Sequence, residues 1–174
     1  IYGKQTSAPV NFAFTIANQA ALVISNASKS GIAGTPITLT TTGGSGAGAV
    51  SYATATDGCV ISDLALTTTK PTTCLVSATK AANGIYASAT SAAVSFVFSP
   101  AAQSVLTISN VTKTAAANET ITLTTTGGSG GGSVSFATTT TGCTISGSTL
   151  AATALTTCLV SATKAANGIY ASAT

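Results

Sequence analysis

Residues 72–84 read Thr-Thr-Cys-Leu-Val-Ser-Ala-Thr-Lys-Ala-Ala-Asn-Gly, and residues 156–168 read the same series again. Within it Cys74, Val76 and Ala78 alternate with Leu75, Ser77 and Thr79, the period-two pattern of a half-buried strand, and Asn83-Gly84 ends it as a turn dipeptide. The offset of 84 extends outward in both directions. It relates Ile1-Tyr2 to Ile85-Tyr86 and Ile169-Tyr170, Gly43–Gly46 to Gly127–Gly130, Cys59 to Cys143 and Cys74 to Cys158. Aligning residues 1–84 with 85–168 gives roughly 51 identities. Self-similarity at a fixed period marks a tandem array.

Each period alternates like a string of short strands. Val94, Phe96 and Phe98 flank Ser95 and Val97, Ile37 and Leu39 flank Thr38, and Val50 and Tyr52 flank Ser51. About seven strands are expected per period, near 22–27, 36–42, 49–56, 59–62, 64–69, 73–80 and 90–98, and no window carries a helical stripe. The expected fold is all-β: tandem immunoglobulin-like antiparallel β-sandwiches of about seven strands, with one disulfide in each repeat.

The natural unit runs from about Ala20 to Gln103, so three segments are expected. Residues 1–19 hold the final strand of a preceding repeat plus a linker, 20–103 a whole repeat, and 104–174 a second repeat without its last strand. Val10, Phe12, Phe14 and Ile16 copy that last strand at the front of the chain, as a candidate donor strand. With Ile1 first and no initiator Met or leader, the chain reads as processed or cut from something longer. Two accounts fit: a window on a long covalent array, or a subunit whose leading strand completes the last domain of the next copy.

Cys59/Cys74 and Cys143/Cys158 are identically spaced, which argues for closure within each period. A loop of this length contributes about 3 kcal/mol in the chain-entropy model, much for a domain with a small core. Zinc is the weaker reading: there is no His and no CxxC. Disulfides place the chain in an oxidising environment, secreted or at the cell surface.

Charge is scarce. Six Lys and three acids are the only charged side chains, about 5% of the residues, while Ser and Thr supply roughly a third. Separated lysines make no basic stripe, which argues against nucleic acid. General acid–base catalysis lacks its usual residues, and no Ser, Thr or Cys has a His partner, so no enzyme and no cofactor is expected. No stretch of about 20 apolar residues occurs, so no transmembrane segment is expected.

The Gly-Gly-Ser-Gly loops lack the Lys and helix of a phosphate loop and read as turns and close backbone approaches. Lys80 and Lys164 with Asn83 and Asn167 have no shared acid to support an isopeptide bond: Asp57, Asp63 and Glu119 align with Thr141, Gly147 and Thr35. The same scarcity argues against calcium. Asn26, Asn110 and Asn118 head Asn-x-Ser/Thr sequons and are candidate glycosylation sites. Thr40–Thr42 and Thr138–Thr141 suit solvent-facing strands, with ice or carbohydrate binding as the sharper reading.

Ile37–Gly46 (Ile-Thr-Leu-Thr-Thr-Thr-Gly-Gly-Ser-Gly), Val50-Ser51-Tyr52, Gly58-Cys59-Val60-Ile61-Ser62 and Thr73–Gly84, with their copies 84 residues on, resemble bacterial Ig-like repeats. Such repeats occur in very large secreted or surface-anchored proteins. The resemblance implies a non-catalytic stalk, fibre or adhesin segment whose partners are copies of itself or neighbouring repeats. The alternative is an adhesive module for glycans or another surface. Uncharged outward positions (Thr, Ser and Ala) fit packing against neighbours or glycosylation better than isolated solubility.

Overall fold

The computed structural model describes residues 2–174, and among these there is no helix. The first period forms β1 (Leu22–Ile24), β2 (Ser30–Ile32), β3 (Ile37–Thr38), β4 (Thr41–Gly43), β5 (Val50–Thr54), β6 (Cys59–Ser62), β7 (Ala65–Thr68), β8 (Thr72–Lys80), β9 (Ala89–Thr90) and β10 (Val94–Ser99). All seven stretches with alternating pattern contain strand. Two of them divide: 36–42 into β3 and β4, and 90–98 into β9 and β10. β2 is an addition. Its Ser-Gly-Ile sequence has no alternation to read.

β10 lies inside a five-stranded sheet of order β2-β10-β8-β5, with β9 on the end of β8. Phe96 stands opposite Cys74 in the antiparallel pair with β8, and Phe98 stands opposite Gly31 in a parallel pair with β2. That parallel pair departs from the wholly antiparallel expectation. Parallel strands need a long connection, and here the whole body of the period lies between β2 and β10. Smaller sheets β3-β7-β6 and β1-β4 supply the rest.

Leu22 and Ile24 from β1, Leu66 from β7, Cys74, Val76 and Ala78 from β8, and Phe96 and Phe98 from β10 meet with Ala33 and Leu39 in one buried core. The two Phe side chains are its largest contribution from one strand; each burial is worth about 1.5–3 kcal/mol. Gly31 is small for a reason: a Cβ there would come within 2.9 Å of Ile37 Cδ1 and 3.2 Å of the Phe98 ring.

The second period forms β11 (Leu106–Ile108), β12 (Thr120–Thr122), β13 (Thr125–Gly127), β14 (Val134–Thr138), β15 (Cys143–Ser146), β16 (Thr149–Ala152) and β17 (Val160–Lys164). β11-β13, β12-β16-β15 and β14-β17 repeat the pairings of β1-β4, β3-β7-β6 and β5-β8. No described strand repeats β2 or β10. β17 is correspondingly short: residues 156–159, which match the half of β8 that pairs with β10, are not strand.

Candidate functional site

Two features stand out: a joint that occurs twice, and a strand slot that is filled in one period and open in the other.

The joint is built around one glutamine. Gln103 follows β10 and crosses to the second period, where its amide donates to Ala165 O (3.1 Å) and Ala171 O (2.6 Å) and its Oε1 accepts from Ser129 N–H (3.0 Å). Both amide hydrogens and the carbonyl are thereby used. Ala101 lies beside Tyr170: Ala101 N–H donates to Ile169 O (2.8 Å) and Ala171 N–H to Ala101 O (2.9 Å). Ser104 N–H donates to Ser129 Oγ (3.0 Å). The first period carries the same joint with the residues 84 earlier. Gln19 donates to Ala81 O (3.0 Å) and Ala87 O (2.7 Å) and accepts from Ser45 N–H (3.1 Å), and Ala17 pairs with Tyr86.

The Gly-Gly-Ser-Gly loops exist to make this joint. Gly43 has φ +83, and a Cβ there would collide with Ala21 O; Gly127 meets Val105 O in the same way. Between the periods Ile169 packs against the first core, over Gly34, where any Cβ would come within 2.7 Å of its Cδ1. Its counterpart Ile85 has no such neighbour and is exposed. Asn83 and Asn167 close tight turns with Tyr86 and Tyr170 beside the joint. Sequence reasoning missed Gln19 and Gln103. The available signal was two glutamines, the only ones besides Gln5, at an offset of 84.

The slot is what β10 fills in the first period. In the second, a groove of about 250 Å³ runs between Thr114–Ala116 and Thr156–Cys158, floored by Ile121 and Leu150. Leu155 on its rim is 95% exposed, and Leu159 and Val111 are also exposed. The strand copy at the front of the chain lies apart from it. Phe12 is 81% and Phe14 97% exposed, whereas Phe96 and Phe98 are 0% and 2% exposed; Val10 and Ile16 are exposed too.

The structure pairs Cys59 with Cys74 and Cys143 with Cys158, each at a Cα–Cα distance of 5.9 Å. Cys59 on β6 and Cys74 on β8 tie the three-stranded sheet to the five-stranded one. Asn26 and Asn110 use their amides structurally. Asn26 donates to Thr38 O (2.7 Å) and accepts from Thr40 N–H (2.9 Å); Asn110 does the same with Thr122 and Thr124. Asn118 is exposed in a turn at φ +70, in place of Gly34. The Asp57 carboxyl is held below the usual carboxylate range by a hydrogen bond from Lys70, and then by its charge. No helix of the described residues is long and apolar enough to cross a membrane. Comparison with protein-family models, curated proteins and solved structures gives no match.

Proposed function

We propose that this chain is a non-catalytic structural segment of an extracellular fibre, filament or cell-surface stalk, built from Ig-like repeats that each carry their own disulfide. The observation that carries this reading is the duplicated joint. A linker that only tethered two domains would need no fully bonded glutamine, no glycine loop shaped to receive it and no isoleucine set into the neighbour's core. The same parts at Gln19 and Gln103 make each connection stiff and alike, so that an array advances by a fixed step. Disulfides across the sheets suit an oxidising environment, and a surface of Thr, Ser and Ala suits close packing with neighbours.

Small-angle scattering tests it on the full chain at low concentration. One rigid two-lobed particle is expected, with the distance between lobes sharply defined. Gln103→Ala should broaden that distance distribution, while Gln19→Ala should leave it alone. Two independently tumbling lobes in the unsubstituted chain would overturn the reading.

A further inference from the structure

We propose that the open slot of the second period is an acceptor for residues 7–15 of a second copy of this chain, so that copies join head to tail by strand addition. This deepens the fibre reading and rests on it.

The first period displays the completed arrangement. Val94–Ser99 lies antiparallel to β8 and parallel to β2, and seats Phe96 and Phe98 in the core. Residues 91–99 correspond to residues 7–15, and the positions that carry the packing are kept: Val94 as Val10, Phe96 as Phe12 and Phe98 as Phe14. Ser91, whose Oγ accepts from Ala78 N–H at 3.0 Å and seals the start of the strand, is kept as Ser7. Pro9 replaces Ala93, which lies outside the ladder and loses nothing by lacking an N–H.

The acceptor side is kept as well. Shifting the β10–β8 register by 84 places Val10 of the incoming strand opposite Val160, Phe12 opposite Cys158 and Phe14 opposite Thr156. Shifting the parallel register places Ala13 to Thr15 beside Thr114, Ala115 and Ala116. These residues line the open groove. An edge without a partner, over an unfilled apolar floor, is what strand addition satisfies, through backbone hydrogen bonds along the strand and pockets for alternate side chains.

Continuity with the joint decides the occupant. β10 runs straight into Ala101–Gln103, which is locked onto the period that follows. Residues 7–15 run into Ala17–Gln19, locked onto the first period in the same way. A second copy therefore presents its leading strand from a fixed base, and once that strand is seated the contact between copies reproduces the contact inside the chain. Ile85 of the incoming copy would then have a neighbour to pack against, as Ile169 does. The chain's own first slot is filled by β10, so strand 7–15 has no site there.

One residue is imperfect. Ala115 stands where Gly31 makes room for the Phe98 ring, so Phe14 must sit a few tenths of an ångström off. Shape-specific seating predicts that Ala115→Gly strengthens assembly; unspecific apolar association does not.

The test is sedimentation velocity of the full chain over a wide concentration range, with Phe12→Asp/Phe14→Asp as the donor variant. Both positions are exposed in a single copy, so the variant folds. The unsubstituted chain should form a ladder of species that lengthens with concentration. The donor variant should associate at least about a hundredfold more weakly, and Ala115→Gly should shift the ladder to lower concentration. A synthetic peptide of residues 7–16 should bind the donor variant one to one and cap growth of the unsubstituted chain, whereas a scrambled peptide should do neither. A donor variant that assembles like the unsubstituted chain would overturn the proposal. So would a peptide that binds a chain which never assembles, since the slot would then belong to a strand supplied covalently. Scattering from the donor variant reports joint rigidity independently, so this proposal can fail while the fibre reading stands.

Discussion

Residues 72–80 and 156–164 carry the same sequence and take different structures. The first is a nine-residue strand whose leading half pairs with β10 and whose trailing half pairs with β5. The second keeps strand geometry only over the five residues that pair with β14. Local preference is identical in the two places, so the difference comes from the partner. A strand of alternating Thr, Val, Ser and Ala has too little propensity of its own to stay in strand form without a ladder. The consequence spreads into the core: Cys74 and Val76 are fully buried while Cys158 and Val160 are only half-buried. The second period is the same object with one wall removed.

The sharpest way to break this comparison is to truncate the same aromatic in both of its copies. Phe96→Ala should lower the unfolding free energy of the first period by about 3–5 kcal/mol. Phe12→Ala should leave monomer stability unchanged in dilute solution while weakening association. Equal losses for the two, measured by guanidinium unfolding, would show that the exposed strand is already packed in the monomer.

Next in size is the crosslink. Both loops span 15 residues in sequence, so the chain-entropy estimate is the same, about 3 kcal/mol each. Cys143→Ser/Cys158→Ser should nevertheless unfold the second period first, because it has less core to lose. Cys59→Ser/Cys74→Ser should leave the first folded but less stable. Near-ultraviolet circular dichroism follows the first period separately through Tyr52, which has Phe136 as its counterpart.

A smaller effect lies at Thr68, whose buried Oγ1 has no hydrogen-bond partner; the second period has Ala152 in its place. Thr68→Val keeps the shape and removes the stranded hydroxyl, so thermal unfolding should show a gain of up to about 1 kcal/mol. A loss would mean that the hydroxyl is solvated.

The smallest effect is electrostatic. The Asp57–Lys70 pair exists only in the first period, where the second has Thr141 and Ala154. The folded-state pKa of Asp57 is lowered, so its contribution is present above the ordinary carboxylate range and fades as pH falls through the lowered value. Because the pair is exposed, Asp57→Asn should not measurably change the melting temperature at neutral pH, and the stability of the unsubstituted protein should be nearly flat from mildly acid to mildly alkaline conditions.

Much of this was legible in the residues. The period, the strand positions and the copied strand at Val10, Phe12 and Phe14 follow from repetition and alternation, which need no knowledge of distant contacts. β2 was not legible, because Ser30-Gly31-Ile32 is extended only through β10, a strand more than sixty residues away in sequence. Its parallel direction was hidden for the same reason. Gln19 and Gln103 escaped notice because each makes its bonds across a junction, to carbonyls that no local pattern marks. The sequons pointed outward to sugar, whereas the amides of Asn26 and Asn110 turn out to bridge backbone.

The central claim is that a strand from another copy completes the second period, and hydrogen exchange reads it most directly. Peptides entering the two identical stretches from their differing flanks, Lys70-Pro71 and Ala154-Leu155, can be told apart by mass. In dilute monomer, amides 72–76 should be protected while 156–159 and 10–15 exchange quickly. At concentrations where copies assemble, 156–159 and 10–15 should become protected together and to the same extent. Protection of 156–159 that does not change with concentration, or that appears without protection of 10–15, would contradict the account.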